Sequence, residues 1–337
     1  MELSEREKKK LMEAMKDEMI KQAHGILIAD KMIKVSGKRI KLPLEGRELD
    51  AVYYPALKED GSDESELCPL IVGFHGGGFL FGGCAVNDAM WVAVTKSLHC
   101  NVVSVGYRQS PEYDWHVCLK DSADAALYLQ KHAEEFFSLP GFIYLMGQSA
   151  GANLAAAVCL KYNLDRLHLS PGEGFDDITL DSEEAPHILN CIMLYPQLDG
   201  ATPPDEKGSG TLAGPVCTIF NELHCNDGNE KNPLVSPTYA TSEMLPGLPN
   251  TIIVYSENDN LRTEAMNYAK MLREADVPVS EMLAEGMPHG YFESGFKIPT
   301  SFEMEFLGEN AQELVDSGAL HEWSVKTLEF IKENLSI

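Results

Sequence analysis

Five apolar or aromatic residues, Phe142 to Met146, run straight into Gly147-Gln148-Ser149-Ala150-Gly151, and an Ala- and Leu-rich stretch follows to Leu160. No other stretch narrows the fold as far. An unbroken apolar run of this length reads as a strand covered on both faces. The stretch after the glycines has the length of a helix. Between them, a serine flanked by glycines reads as a sharp strand-to-helix turn, with a strained backbone and a hydroxyl exposed at the end of a sheet. The flanking positions are glycine because a Cβ there would strike the neighbouring chain. The following helix aims its first amides at the same point, which favours negative charge beside Ser149. Five residues of Gly/Ser-rich turn can match by chance, but the strand before and the helix after are the context the motif requires.

The rest of the chain supplies neighbours for that strand. Strands are expected at Pro69–Phe74, Asn101–Tyr107, Ile188–Tyr195, Thr251–Tyr255 and Val277–Leu283, with two weaker runs at Met32–Val35 and Glu48–Tyr54. Helices are expected at 4–23, Trp91–Leu98, 116–132, Arg262–Ala275 and 319–334. Strands alternating with helices predict an α/β fold with a mostly parallel central sheet flanked by helices. In such sheets ligands sit at the carboxyl ends of the strands. The first helix shows the capping-box spacing of Ser4 and Glu7, with Leu11, Met12, Met15, Met19 and Ile20 near helical spacing. Such a Met-rich face reads first as core packing and second as an adaptable lid. Residues 164–186, with seven Asp or Glu, read as an acidic surface excursion. Residues 200–233 are rich in Gly, Pro and polar residues around an apolar patch at Val216–Leu223, a composition that suits a lid. No internal repeat is evident.

Composition removes whole classes of function. Lys plus Arg is 27 and Asp plus Glu is 52 among 337 residues, so the formal charge is 27 − 52 = −25. Such a surface repels phosphate backbones and anionic membranes, so no nucleic-acid partner is expected. None of the eight cysteines stands in a C-x-x-C pair, and Cys159 and Cys191 lie in apolar runs, where a thiol acts as a small hydrophobe. A reducing cytoplasm is the expected setting. The first twenty residues are charged throughout, so no signal peptide is expected, and no apolar run approaches the length of a membrane span. The histidines are scattered without ligand spacing, and no Gly-rich run ends in Gly-Lys-Ser/Thr. No metal and no cofactor is expected.

Serine is a poor nucleophile until a base takes its proton. His289, in Gly286-Met287-Pro288-His289-Gly290-Tyr291, stands on a loop after the last expected strand. An imidazole in that role needs a carboxylate to hold its tautomer and stabilise the imidazolium. Asp259 follows the strand ending at Tyr255, giving the chain order Ser, Asp, His. Glu257, closer to the strand, and Asp199, after the strand ending at Tyr195, are rivals for the acid. His75-Gly76-Gly77-Gly78 follows the strand ending at Phe74. Two bare amides from this glycine run, with that of Ala150, would make an oxyanion hole. His75 itself reads as a buttress of the loop.

These motifs resemble the hormone-sensitive-lipase-like branch of the carboxylesterases, in the α/β-hydrolase superfamily, over about residues 69–293. His75-Gly76-Gly77-Gly78-Phe79 resembles the family's oxyanion motif. Tyr107-Arg108-Gln109-Ser110-Pro111-Glu112 resembles its Tyr-Arg-Leu-Ala-Pro-Glu segment, and Asp121 falls where the next helix usually carries Asp. Asn232-Pro233-Leu234-Val235-Ser236-Pro237 and Met287-Pro288-His289-Gly290-Tyr291 resemble later signatures. The resemblance implies Ser149, Asp259 and His289 as a catalytic triad and the amides of Gly77, Gly78 and Ala150 as the oxyanion hole. It also implies a helical cap. On this reading residues 1–45 are cap helices and lead-in, and 46–337 are the catalytic domain with a cap insertion at about 200–233. Gln148 stands where the family commonly has Asp or Thr, Ala152 where it has Gly, and Thr263 where it has an acid. The insertion at 164–186 and the length between Phe292 and Ala319 are unusual for it.

The expected activity is that of a cofactor-independent serine hydrolase acting on short- to medium-chain acyl esters through an acyl-enzyme on Ser149. Deacetylation of sugars or cleavage of aryl amides would use the same triad. A binding protein on a hydrolase scaffold is the alternative from another class, and the presence of all three triad residues weighs against it. A small-molecule ester is the expected partner. Whether the chain also pairs as a homodimer is left open.

Overall fold

The computed structural model describes residues 4–58, 60–62, 66–171, 185–212 and 214–336. Eight strands form one sheet: β1 (Lys38–Leu44), β2 (Arg47–Tyr54), β3 (Leu70–Phe74), β4 (Asn101–Gly106), β5 (Ile143–Gln148), β6 (Ile188–Leu194), β7 (Asn250–Asn258) and β8 (Val279–Pro288). Their order across the sheet is β1-β2-β4-β3-β5-β6-β7-β8. The first two pairings, β1 with β2 and β2 with β4, are antiparallel, and the rest are parallel. The α/β fold expected from the alternation is the one observed.

The pleat sends alternate residues of β5 to opposite faces. Ile143 and Leu145 join a core under the helices α3 (Trp115–Lys131), α4 (Ala150–Leu167) and α6 (Arg262–Glu274). Tyr144 and Met146 join the core under α2 (Asp88–Leu98) and α10 (Ala319–Asn334). Because both faces are covered, the central strands must be apolar throughout, which is why they were visible as unbroken runs. α4 is buried from Ala150 to Leu164, and its alanines let the helix lie close to the sheet.

Helix α1 (Glu5–Asp30) begins with the Ser4–Glu7 capping box and runs a turn and more beyond the expected end at residue 23. Met32–Val35 is not a strand. It is the turn leaving α1, with Ile33 and Val35 packed beside the α2 core. The strand missed there is β1, where Arg39 and Lys41 alternate with Ile40 and Leu42 at a sheet edge. One covered face gives alternation where the central strands give a run. The boundary drawn at residue 45 therefore falls inside the antiparallel β1–β2 pair, and a single helix rather than several precedes it. The acidic excursion placed at 164–186 lies mostly outside the described residues, since α4 continues to Leu167 and description resumes at residue 185.

Three short helices, α7 (Tyr291–Ser294), α8 (Ser301–Leu307) and α9 (Ala311–Asp316), fill the segment before α10. Helix α5 (Gly214–His224) packs against α1, with Met19 and Ala23 meeting Ile219 and Leu223. Among the described residues no helix is long and apolar enough to cross a membrane, and no group of His, Cys, Asp and Glu is arranged to hold a metal ion. All eight cysteines are free and buried.

Candidate active site

Strand register brings the distant motifs together. Phe74 pairs with Gly147, so His75-Gly76 leaves β3 beside Ser149 at the end of β5. Asn258 pairs with Pro288, so Asp259 and His289 leave β7 and β8 side by side. β8 runs to Pro288, five residues past its expected end, because this pairing resumes after an irregularity. The Ser149 amide donates to the Leu194 carbonyl at 2.9 Å, which ties the turn to β6.

Ser149 has φ 52° and ψ −117°, outside the regions an L residue normally occupies. Strain of this kind costs about 1–3 kcal/mol and persists only where surroundings over-determine it. Here the surroundings leave no room to relax. A Cβ on Gly151 would lie 2.1 Å from the Phe74 carbonyl oxygen, and one on Gly147 would lie 2.2 Å from Gly151 itself. Strand, turn and helix therefore pack as the glycines dictate, and the serine hydroxyl is pushed outward.

The hydroxyl of Ser149 lies 2.9 Å from His289 Nε2. On the other side of the ring, Nδ1–H donates to Asp259 Oδ2 at 2.7 Å. That pairing fixes the proton on Nδ1 and leaves Nε2 to accept from the serine. Asp259 is 3% exposed, and its second oxygen accepts from the Leu261 amide at 2.9 Å. Burial of the imidazole opposes its protonation, but the charge and hydrogen bond of Asp259 outweigh it and hold His289 above the ordinary histidine value. The two rivals for the acid are engaged elsewhere. Glu257 accepts from the Gly286 amide at 2.7 Å, and Asp199 accepts from the amides of Ala201 and Thr202 at 2.9 and 2.8 Å.

The glycine loop sits opposite the imidazole. Gly77 has φ 117°, and a Cβ there would lie 2.3 Å from the Phe81 carbonyl oxygen. Among the described residues the amides of Gly77 and Gly78 donate to no other group. Both line the same cavity as Ser149. His75 braces the loop. Its Nδ1–H donates to the Gly76 carbonyl at 2.8 Å, its Nε2 accepts from Gln109 at 3.1 Å, and its ring stacks on Tyr107 at 4.3 Å. Burial lowers its proton affinity, so it stays neutral, a support rather than a base.

The other signatures fix the frame. Asp121, fully buried, takes a two-pronged pair from Arg108 at 2.8 and 2.9 Å and a third bond from Arg47 at 2.6 Å. Asn153 on α4 donates to the carbonyls of Gln197 and Val235 at 2.9 and 2.8 Å, joining the helix after Ser149 to the Asn232–Pro237 segment. Gln148 is buried, and neither atom of its amide has a partner among the described residues. Arg262, beside Thr263, donates to the Glu257 carbonyl at 3.1 Å.

A cavity of about 530 Å³ opens over Ser149 and His289. Its roof comes from three separate parts of the chain: Ile26, Ala29 and Ile33 at the end of α1, Leu212, Cys217 and Phe220 around α5, and Phe302, Phe306 and Leu307 on α8. Phe81 joins the first two to the third, edge-on to Phe220 at 5.7 Å and to Phe302 at 5.1 Å. The α8 contribution was not foreseen. Its signals were present, a Thr300–Glu303 capping box and Phe302 with Phe306 one turn apart. Roof and floor are stitched at two places. The His289 amide donates to the Thr211 hydroxyl at 3.3 Å, and Lys207, itself in the cavity wall, pairs with buried Glu264 at 2.8 Å. Burial pushes the Glu264 carboxyl up to about 7, against the pull of Lys207.

With this geometry established, relatives can be compared. A family model described as an alpha/beta hydrolase fold matches residues 71–293. A carboxylic ester hydrolase of Mycobacterium tuberculosis is 28% identical over 82% of this chain and 70% of its own length. An arylesterase of Saccharolobus solfataricus is 29% identical over 76% of each. Among solved structures, a thermostable esterase from Pseudomonas putida superposes with a TM-score of 0.71 at 21% identity, covering 96% of this chain and 91% of that one. At that identity the superposition speaks for the fold. Taken with a family match over most of the chain, these findings show that the chain belongs to the α/β-hydrolase family of carboxylesterases.

Proposed function

We propose that this protein hydrolyses carboxylic esters of short to medium acyl chain length through an acyl-enzyme on Ser149. The observation that carries the reading is the unbroken chain from the Ser149 hydroxyl through His289 to Asp259, at 2.9 and 2.7 Å, in a largely apolar cavity. His289 takes the serine proton as Oγ attacks the ester carbonyl. Asp259 stabilises the imidazolium that forms. Negative charge on the tetrahedral oxygen is met by the amides of Gly77, Gly78 and Ala150, of which the last stands at the first turn of α4. His289 then gives its proton to the departing alcohol, and water attacks the acyl-enzyme by the same route in reverse.

The roof also bears on which ester enters. α1, α5 and α8 act as a cap, extending the segments 1–45 and 200–233 by the residues of α8. Their phenylalanines line a cavity of about 530 Å³, an apolar surface that supports an apolar acyl group as the part of the ester held there. Cys217 lies in this wall, its thiol pushed up to about 11 by burial, so it is apolar lining and not a nucleophile.

The test is hydrolysis of p-nitrophenyl acetate, butyrate, octanoate and laurate with Ser149→Ala as control. Turnover that falls with chain length and vanishes in the control supports the reading. Laurate cleaved as fast as butyrate would reject the chain-length part. No Ser149-dependent turnover on any of the four would shift the assignment to acetylated sugars, aryl amides or binding alone.

A further inference from the structure

The cavity wall holds a second carboxylate that the triad does not use. Glu293 lies on α7, four residues after His289. It accepts a hydrogen bond from the Tyr195 hydroxyl. Tyr195 is itself fully buried, and its ring stands edge-on to the His289 imidazole at 4.9 Å. The other carboxylate oxygen lies 3.6 Å from where a Cβ on Gly290 would be, beside the His289 backbone. Among the described residues no cation pairs with Glu293. Lys297, one turn further, pairs with Glu303 at 2.5 Å, and Lys207 with Glu264 at 2.8 Å.

A carboxylate in this place has two consequences. Tyr195 spends its only proton on Glu293, so the hydrogen bond holds both in position, and the phenol ring becomes a fixed wall for the imidazole. The charge also acts on the imidazole through a part-buried region, where screening is weaker than in open solvent. The carboxylates acting on His289 are Asp259 from the β7–α6 loop, Glu293 from α7 and Glu264 from α6; the Tyr195 phenol stands edge-on to the ring with Tyr291 packed behind it, and the cations of the same cavity wall are Lys207 and Lys297. The carboxylates all favour the protonated ring.

Resting on the proposed role of His289 as the base, we propose that Glu293 is a positioning residue that sets the pH at which that base becomes active, holding His289 through Tyr195 and through its own charge. The Glu293 charge favours the protonated His289 ring, and burial raises the Glu293 carboxyl itself. The sign follows. His289 must be neutral to accept the serine proton, so kcat/KM rises with pH through its acid limb. Removing the Glu293 charge makes the imidazolium easier to deprotonate and moves that limb to lower pH. As a weaker base His289 then takes the serine proton less readily, so the plateau falls a few-fold.

The experiment is the pH profile of kcat/KM on p-nitrophenyl butyrate for the wild type and Glu293→Gln. The glutamine keeps an acceptor for Tyr195. The expected result is a downward shift of the acid limb by about one pH unit, within the range a nearby carboxylate produces. An acid limb that stays in place, whatever happens to the plateau, overturns the proposal and makes Glu293 a packing residue. Should the glutamine variant not fold, Glu293→Asp and Glu293→Asn, equal in size, read the same charge. The proposal requires the Asn limb to lie lower, and coincident limbs reject it. Ser149→Ala assayed beside them keeps the two readings apart, because turnover surviving there would remove the serine mechanism and not merely the role of Glu293.

Discussion

The floor and the roof of the cavity are built in opposite ways. Each group on the floor sits immediately after a strand, in a short motif: Gly77 after β3, Ser149 after β5, Asp259 after β7, His289 after β8. Adjacent registers, Phe74 with Gly147 and Asn258 with Pro288, then do the assembly. The roof has no such frame. It draws Ile26, Phe220 and Phe302 from three distant parts of the chain and joins them by aromatic and aliphatic packing. A sheet fixes positions by backbone hydrogen bonds, to within the width of a bond. Packed helices fix them by side-chain volume, which tolerates substitution and repacking. The proposed function assigns chemistry to the floor and choice of substrate to the roof, in keeping with that difference.

The comparison predicts large, all-or-none losses below and graded changes above. The largest, after loss of the serine itself, is Asp259→Asn. It should lower kcat about 10⁴-fold while leaving the fold intact, because the amide no longer holds the Nδ1–H tautomer. Asp199→Asn and Glu257→Gln should keep kcat within a few-fold. Full activity in Asp259→Asn with loss in either of the other two would reassign the acid. Gly77→Ala comes next. Its methyl has no space against Phe81 and its φ suits glycine, so the loop must shift and the proposed oxyanion donor is lost, at about 10²–10³ in kcat.

The seam between floor and roof should respond in stability more than in chemistry. Lys207→Met leaves buried Glu264 without its cation, and thermal unfolding should report a loss of about 3–5 kcal/mol. The smallest effect is expected in the roof proper. Phe302→Ala widens the cavity against Phe81 and should move the chain-length optimum towards longer esters, with KM for butyrate rising about tenfold or less. A 10³-fold loss of kcat from Phe302→Ala would erase the distinction drawn between the two regions.

The same distinction explains what was legible in the sequence. The central strands were visible because both their faces are covered, and the floor motifs because they follow those strands. β1 was missed because a half-covered edge strand alternates Arg39, Ile40, Lys41 and Leu42 instead of running apolar. The reach of β8 to Pro288 was missed because Gly286 and Pro288 read as loop, and only pairing with β7 makes strand of them. The roof was read in part. The apolar patch around Val216–Leu223 suggested a lid, without marking its helix α5, and that Phe302 meets Phe81 is a contact across more than two hundred residues, with no local pattern to announce it. Glu293 is a further case. Nothing in Tyr291-Phe292-Glu293-Ser294 marks the carboxylate as turned to the cavity rather than to solvent.

The central claim is that Ser149 is the nucleophile, and one measurement addresses it without a substrate being chosen. The protein is incubated with diisopropyl fluorophosphate, which phosphorylates an activated serine and displaces fluoride, and intact mass and peptide mapping are recorded. The account predicts one adduct per chain, on the peptide carrying Ser149, with none in Ser149→Ala and strongly slowed labelling in His289→Ala. No adduct on the wild type, or an adduct on another residue, would contradict it.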